Sequence, residues 1–383
     1  MTTPPVSRCA TRTDRATDWL RRRLGRAVAV SYLSALLLPG PGLWLRDAHP
    51  LPHTDLTLHA VSSLLSLVLF SAGLQVPVHA LGQLLLRPRA LLAGLALHIA
   101  MPLLIIPLVA FLLHRSPDTD GGSGLVTAMI LIVAMPVAAG ATVWTGKGQG
   151  DQPTMVGLVV ASTLVSPFTF PATVATLTPL LRGGYAAALG NAGHTMNSDF
   201  ALTGVMLPCA AGIMVRLLLP ERGLDRALRV VVPVALVGSL ALTYTNAVGA
   251  VGSFVARPRP LLLVAASAVA ALVCALSFTL GRIAARVLRL DMPAASSLTL
   301  ASGMNNSSAS AVLITTALPD KPHLLLPVLM YGLLQKTVAN RVVRTGARSE
   351  DPYRHSILPR TSGTPSTTAP GADGSNTSAT GSR

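Results

Sequence analysis

Charged side chains are scarce in this sequence: Asp, Glu, Lys and Arg together make up only 12% of its 383 residues. A soluble globular domain carries about 25% charged residues. The hydrophobic set AVILMFWYC reaches 51%, and the mean hydropathy is +0.57. The chain lacks the charge needed to cover a water-facing surface, which excludes an ordinary soluble protein and predicts an integral membrane protein.

Carboxylates and cysteines are few. The only glutamates are Glu221 and Glu350, and the aspartates fall in predicted loops, tails or helix ends, so no carboxylate lies well inside an apolar segment. Cys9, Cys209 and Cys274 are too scattered for a disulfide framework or a metal site. Because HExxH, Gly-x-Ser-x-Gly and phosphate-loop patterns are also missing, we expect neither enzyme activity nor a cofactor.

Basic residues outnumber acidic ones and give a net charge of +15. They form no interleaved basic and aromatic surface, so a nucleic-acid partner is not expected. They crowd instead at the N-terminus and at the ends of apolar segments. If the N-terminus is inside, 24 of the 30 Lys and Arg residues fall on the cytoplasmic side and six fall outside. This asymmetry predicts a multi-pass protein of the plasma membrane with both termini cytoplasmic.

Ten apolar segments are long enough to cross a bilayer, and all are expected to be helices, because unpaired backbone amides cannot face lipid. Their approximate limits are 27–45, 57–76, 90–113, 124–145, 154–181, 200–219, 228–248, 260–281, 295–318 and 323–343. They define an all-α domain over 27–343 that lies in the lipid bilayer. A basic cytoplasmic tail (1–26) precedes it, and a polar tail (344–383), expected to be disordered, follows it.

Ten segments divide into two halves of five. Because five is odd, the second half enters the membrane from the opposite side, an inverted repeat that is typical of secondary transporters. Segments 4 and 9 are equivalent, and both contain a break, at 135–141 and at 301–308. The second break holds Asn305 and Asn306, which are costly to bury in a helix without partners. The pattern favours a binding site where the two broken helices cross; helix–helix contacts through Ser and Asn are the structural alternative.

Several short motifs follow one another in a characteristic order. Residues 70–74 match an FxxGL stretch in segment 2, and 163–167 carry a proline pattern in segment 5. Residues 303–307 are similar to an EVGxQN signature in segment 9, and 327–331 fit segment 10. In this order the motifs resemble the bile acid:sodium symporter family over about residues 27–343.

The resemblance implies a ten-helix fold in two parts. Segments 3–5 and 8–10 would form a core that contains the crossed, discontinuous helices 4 and 9, and segments 1, 2, 6 and 7 would form a panel. The substrates in the family are organic anions, either bile acids or smaller carboxylates, which enter together with sodium.

The sequence departs from the family where the family binds sodium. In the ninth helix, Ala301 and Asn305 stand where the family has a glutamate and a glutamine, and in the third helix His98 stands where it has a glutamine. In the fourth helix, Ala141 and Thr142 replace a Ser-Asn pair. In the fifth helix, Met155 and Val159 replace residues with hydroxyl groups. Sodium prefers oxygen ligands, which Met155 and Val159 do not offer. Sodium remains possible, but we expect weak coupling.

Two ionisable residues lie within the apolar segments. Lys336 shares a helix face with Gly332 and Asn340. It either extends to the cytoplasmic interface or acts as a fixed cation near the site. His98 is either a hydrogen-bonded structural histidine or a protonatable group at the former sodium position.

These observations predict a secondary transporter of a small or amphipathic organic anion. The expected substrate contacts are Thr142, Asn305, Asn306, Ser307 and Lys336. The candidates for coupling or ion binding are His98, Ser302, Asn305 and Lys336. Two alternatives remain: an exporter of arsenite or another oxyanion with the same fold, which would favour a cysteine in segment 4, and a membrane sensor or scaffold that does not transport.

Overall fold

The computed structural model describes residues 19–20, 23–46, 48–50, 57–76, 88–114, 122–191, 199–256 and 258–349. Over these residues the chain is almost entirely helical. The α-helices are α1 (Leu24–Leu37), α2 (Pro39–Arg46), α3 (Ala60–Leu74), α4 (Pro88–Leu113), α5 (Ser123–Val133), α6 (Ala141–Lys147), α7 (Gln152–Leu177), α8 (Gly184–Asn191), α9 (Leu207–Leu218), α10 (Glu221–Ala256), α11 (Pro260–Val287), α12 (Met292–Gly303), α13 (Ser307–Ala317) and α14 (Leu325–Ser349). A π-helical turn, Phe200–Met206, leads into α9, and 3₁₀ turns lie at Thr178–Leu180 and Pro322–Leu324.

The first apolar segment is not the single helix predicted over 27–45. It is bent by 92° between α1 and α2. Leu38, the residue before Pro39, has φ −133° and ψ 70°, because a proline disfavours the α conformation in the residue that precedes it. The Tyr244 hydroxyl stabilises the bend by accepting a hydrogen bond from the Gly42 N–H at 2.9 Å and donating one to the Leu38 carbonyl.

The second apolar segment begins with a strand, which corrects the expectation that every segment is helical throughout. Strands β1 (Ala48–Pro50) and β2 (Thr57–His59) pair antiparallel, and helix α3 begins only at Ala60. The pairing joins Ala48 to His59, His49 to Leu58 and Pro50 to Thr57, and it gives backbone groups of both strands their partners.

The chain ends also differ from expectation where they are described. Helix α14 continues to Ser349, beyond the predicted start of the polar tail at 344. Away from the chain ends, helix α8 lies between predicted segments 5 (154–181) and 6 (200–219), where the sequence predicts a loop. The rest of the predicted C-terminal tail (350–383) and the first 18 residues lie outside the described part of the chain.

Five of the described helices are long and apolar enough to cross a membrane, or six if the bent α1–α2 pair is one span. They are Arg89–Leu113, Gln152–Leu180, Phe200–Leu218, Glu221–Ala256 and Pro260–Val287. Helices α3, α5 and α13 are apolar but shorter. This length and composition are those of a multi-pass membrane protein.

The helices pack in two groups. Helices α1, α2, α3, α9 and α10 contact one another and form the first group, here called the panel. Helices α4 to α7 and α11 to α14 form the second group, here called the core. Helix α5 lies at the centre of the core, and all 11 of its residues are buried, as expected for a helix that is apolar on every side.

Candidate functional site

Predicted segments 4 and 9 are each interrupted, and the two interruptions lie against each other. Residues 134–140 separate α5 from α6, and residues 304–306 separate α12 from α13. Val137 and Asn305 form an antiparallel bridge. The Ala138 N–H donates to the Met304 carbonyl at 2.8 Å, and the Asn306 N–H donates to the Pro136 carbonyl at 3.0 Å. Each break therefore supplies partners for backbone groups that the other has released from its helix.

Serine side chains complete the first break. Pro136 has no N–H and so interrupts the helical hydrogen bonds after α5. The Ser162 hydroxyl on α7 accepts from the Val137 N–H at 3.1 Å. The Ser310 hydroxyl on α13 donates to the Leu131 carbonyl at 2.9 Å. Both serines are buried, so the break is held by core helices on two sides.

The second break is held by its own asparagines. Asn306 is the N-cap of α13: its Oδ1 accepts from the Ala309 N–H at 3.1 Å. The Asn305 Nδ2 donates to the Tyr331 hydroxyl at 3.1 Å, which in turn donates to the Gly303 carbonyl at 3.2 Å. One polar atom of each asparagine is therefore used by the fold, while Asn305 Oδ1 and Asn306 Nδ2 retain capacity for a ligand.

A cavity of about 610 Å³ lies beside the first break, between the panel and the core, and is here called the large cavity. Helices α3 and α10 line it from the panel, and the first break with α6 and α7 lines it from the core. Most of its wall is aliphatic. The polar lining residues are Ser71, Gln75, Thr142, Lys147, Gln152 and Ser239.

Thr142 and Lys147 bring polar chemistry to the large cavity. The Thr142 hydroxyl donates to the Ala139 carbonyl at 2.8 Å, and the Thr142 carbonyl accepts from Gln152 Nε2 at 3.0 Å. Among the described residues of the lining, Lys147 alone is charged. Its Nζ lies 4.9 Å from the centroid of the Trp144 ring, a cation–π distance.

A second, much smaller cavity of about 20 Å³, here called the small cavity, lies between α1, α10, α13 and α14. Ser307 and Lys336 line it together with Tyr32, Thr243 and Asn246. The predicted site residues are therefore divided: Thr142 belongs to the large cavity, Ser307 and Lys336 to the small one, and Asn305 and Asn306 to the break.

The positions expected to bind sodium are mostly apolar and enclosed. Ala141, Met155, Val159 and Ala301 are buried, and they present only carbon or sulfur side-chain atoms. The Ser302 hydroxyl donates to the Leu298 carbonyl at 2.7 Å.

His98 is buried in α4. Within the described residues its ring forms no hydrogen bond, unlike the structural histidine considered above.

The sequence profile of the sodium bile acid symporter family matches residues 63–257, more than half of the 383-residue chain. The chain belongs to this family. It is a multi-pass membrane transporter of the bile acid symporter type, with the lipid bilayer as its surroundings and a small molecule as its substrate. The match includes the first break and ends before the second. No curated protein matches the chain.

Two residues of this region carry more weight than the sequence indicated. Lys147 entered the sequence analysis only as one of the 30 basic residues counted for topology, although it lies two turns after the first break. Tyr331 appeared only as part of a segment 10 motif. Its hydroxyl is the link between Asn305 and Gly303, a contact that spans 26 residues and has no local sequence signal.

Proposed function

We propose that this protein is a secondary transporter that moves an organic anion, either amphipathic like a bile acid or a small carboxylate, through the large cavity. The observation that carries the proposal is the position of that cavity. It lies between panel and core, and it reaches the first break through Ala139, Gly140 and Thr142. In secondary transporters, substrates bind where interrupted helices meet.

The lining of the large cavity suits an anion with an apolar body. Val156, Val160 and Leu236 supply apolar walls, while Lys147 supplies a positive charge. The Lys147 ammonium contacts the Trp144 ring, and a bound carboxylate would give it a charge-assisted hydrogen bond as well. Thr142, Asn305 and Asn306 are the proposed polar contacts at the break. Asn306 Nδ2 and the second N–H of Asn305 Nδ2 can donate to a carboxylate, and the Thr142 hydroxyl would turn from the Ala139 carbonyl to do the same.

We further propose ten spans in two inverted repeats, with both termini cytoplasmic and the plasma membrane as the location. In this topology Lys147 is near the cytoplasm, so the large cavity opens inward. Movement of the panel against the core would close it and open the opposite side. Ser307 and Lys336, which line the small cavity, would meet the substrate after this movement.

Sodium coupling is proposed to be weak. The family's sodium-binding positions carry Ala141, Met155, Val159 and Ala301, whose side chains have no oxygen. Lys336 would supply the fixed positive charge that sodium supplies elsewhere, and His98, whose ring nitrogens can bind a proton, is the candidate for a coupling proton. Ser302 and Asn305 remain the candidates for any residual ion site.

A cavity-blocking variant tests the site. A Cβ at Gly140 meets no heavy atom within 4 Å, so Gly140→Phe extends a ring into the large cavity without disturbing the fold. Thermal unfolding of purified protein is followed with a panel of carboxylates, with and without sodium. We expect a bound carboxylate to stabilise the wild type and to lose this effect in Gly140→Phe.

The matched control is Gly252→Phe, because Gly252 also has open space around its Cβ and does not line the large cavity. This control should retain stabilisation by the carboxylate. Equal stabilisation of the wild type and Gly140→Phe would contradict the proposed site.

The two alternatives make different predictions in the same assay. An arsenite-type exporter would respond to oxyanions rather than carboxylates, but the residues at the first break include no cysteine. A sensor or scaffold without transport activity could bind a ligand yet would show no uptake into proteoliposomes.

A further inference from the structure

The small cavity has an unusual balance of polar groups. Lys336 is partly buried, and the described residues that line the cavity include no acidic one. Within the described part of the chain, its ammonium group has neither an ion pair nor a hydrogen bond. A cation withdrawn from water without a partner loses hydration that nothing replaces. The arrangement therefore calls for an anion.

The neighbouring hydroxyls add donors. The Ser307 oxygen accepts from Gln335 Nε2 at 3.2 Å, which leaves its own O–H available. Within the described residues, the hydroxyls of Tyr32 and Ser308 form no hydrogen bond. Ser307 and Ser308 also begin α13, where the helix dipole is positive. The Lys336 ammonium and these hydroxyls supply donors, while the buried Asn246 Oδ1 is an acceptor without a partner among the described residues.

Gly332 creates the space. A Cβ at this position would lie 2.9 Å from Ser307 Oγ and 3.8 Å from the Tyr32 hydroxyl oxygen. The missing side chain lets these two hydroxyls and Lys336, one turn along α14, face a common volume. At about 20 Å³, the cavity exceeds the 10–15 Å³ needed for one water-sized occupant. It is too small for a carboxylate with an organic body.

The geometry points to a binding site for a single small inorganic anion, a halide such as chloride, held by Lys336, Ser307, Ser308 and Tyr32 in the space above Gly332. The site is separate from the large cavity, and the halide occupies it in the conformation described here, before the substrate reaches Lys336. The anion neutralises Lys336 in that conformation.

The test measures thermal unfolding of the purified protein in chloride, bromide or gluconate at constant ionic strength and constant sodium. We expect the unfolding midpoint of the wild type to rise by a few degrees with chloride or bromide, saturably, because a ligand that binds only the folded state stabilises it. Lys336→Met removes the charge and should abolish the difference between halide and gluconate. General salt effects act on both proteins equally.

Gly332→Ala is the second variant. It keeps Lys336 but fills the space beside Ser307 Oγ, so it should also lose the halide response. Lys321→Met is the matched control, because the Lys321 ammonium lies over the Tyr185 ring at 4.4 Å, away from both cavities; it should retain the response. A wild-type midpoint that does not distinguish halide from gluconate, or that keeps its halide response in Lys336→Met, would overturn the site. Neither result bears on carboxylate binding in the large cavity.

Discussion

At the scale of single residues, Asn306 has two roles that substitutions can separate. Its Oδ1 caps α13, and its Nδ2 is the proposed contact for an anionic substrate. Asn306→Ala should cost about 0.5–2 kcal/mol of stability, because a helix N-cap is lost. Asn306→Asp keeps an acceptor for the cap and should unfold close to the wild-type temperature, yet its negative charge should repel the anion.

Thermal unfolding with and without a carboxylate distinguishes the two roles. An Asn306→Asp protein that is both folded and fully able to bind the anion would remove Asn306 from the proposed site. In that case its function would be capping alone, which is the structural alternative for the asparagines of segment 9.

At the scale of elements, two glycines set the closest contact inside the panel. A Cβ at Gly73 on α3 would lie 2.1 Å from the Cys209 carbonyl oxygen, and a Cβ at Gly212 on α9 would lie 2.1 Å from the Phe70 carbonyl oxygen. No real Cβ tolerates these distances, so α3 and α9 must separate if either glycine is replaced. Small residues allow this close approach of membrane helices.

Gly73→Ala and Gly212→Ala should each destabilise the protein by about 1–3 kcal/mol, as overpacking does. Gly252→Ala is the control: it lies in helix α10, and its Cβ meets open space. It should be neutral or stabilising by up to about 1 kcal/mol. Detergent-solubilised protein in a thermal unfolding assay measures all three. Wild-type stability in Gly73→Ala would show that α3 and α9 do not pack as closely as described.

The elements also show what the sequence could and could not predict. Both helix breaks were predictable, because Pro136 and the Asn305-Asn306 pair are local signals. Pro39 is a local signal for the bend between α1 and α2. The residues before and after Pro39 are both apolar, however, and this pattern favours a single helix over 27–45. The strand before α3 could not be predicted, because β2 is defined by its pairing with β1 and not by its own composition.

The same limit applies to the site. Thr142 was predictable from the first break, and it lines the large cavity. Asn305 and Asn306 were predictable as break residues, but their partners Tyr331 and Ala309 depend on how the helices pack. Lys336 was predictable as an intramembrane cation, whereas its separation from the large cavity follows from the placement of α14 against α1 and α10.

At the scale of the whole molecule, the arrangement is that of two bodies with a cavity between them. The core holds both breaks, and the panel contributes the opposing wall through α3 and α10. Relative movement of the two bodies is how such a fold would carry a substrate without opening a continuous channel. Sodium coupling is a property of the full transport cycle, so weak sodium dependence is measured on the whole molecule in a membrane.

Uptake of a radiolabelled carboxylate into proteoliposomes, in sodium medium and in choline medium at the same pH, decides whether the protein transports and whether transport needs sodium. The carboxylate is the one that stabilises the purified protein best. We expect saturable uptake above that of empty liposomes in both media, with less than a tenfold difference between them. Absence of uptake would contradict a transport function. A drop of tenfold or more in choline, equal to about 1.4 kcal/mol of coupling, would show that a sodium site survives despite Ala301, Ala141, Met155 and Val159.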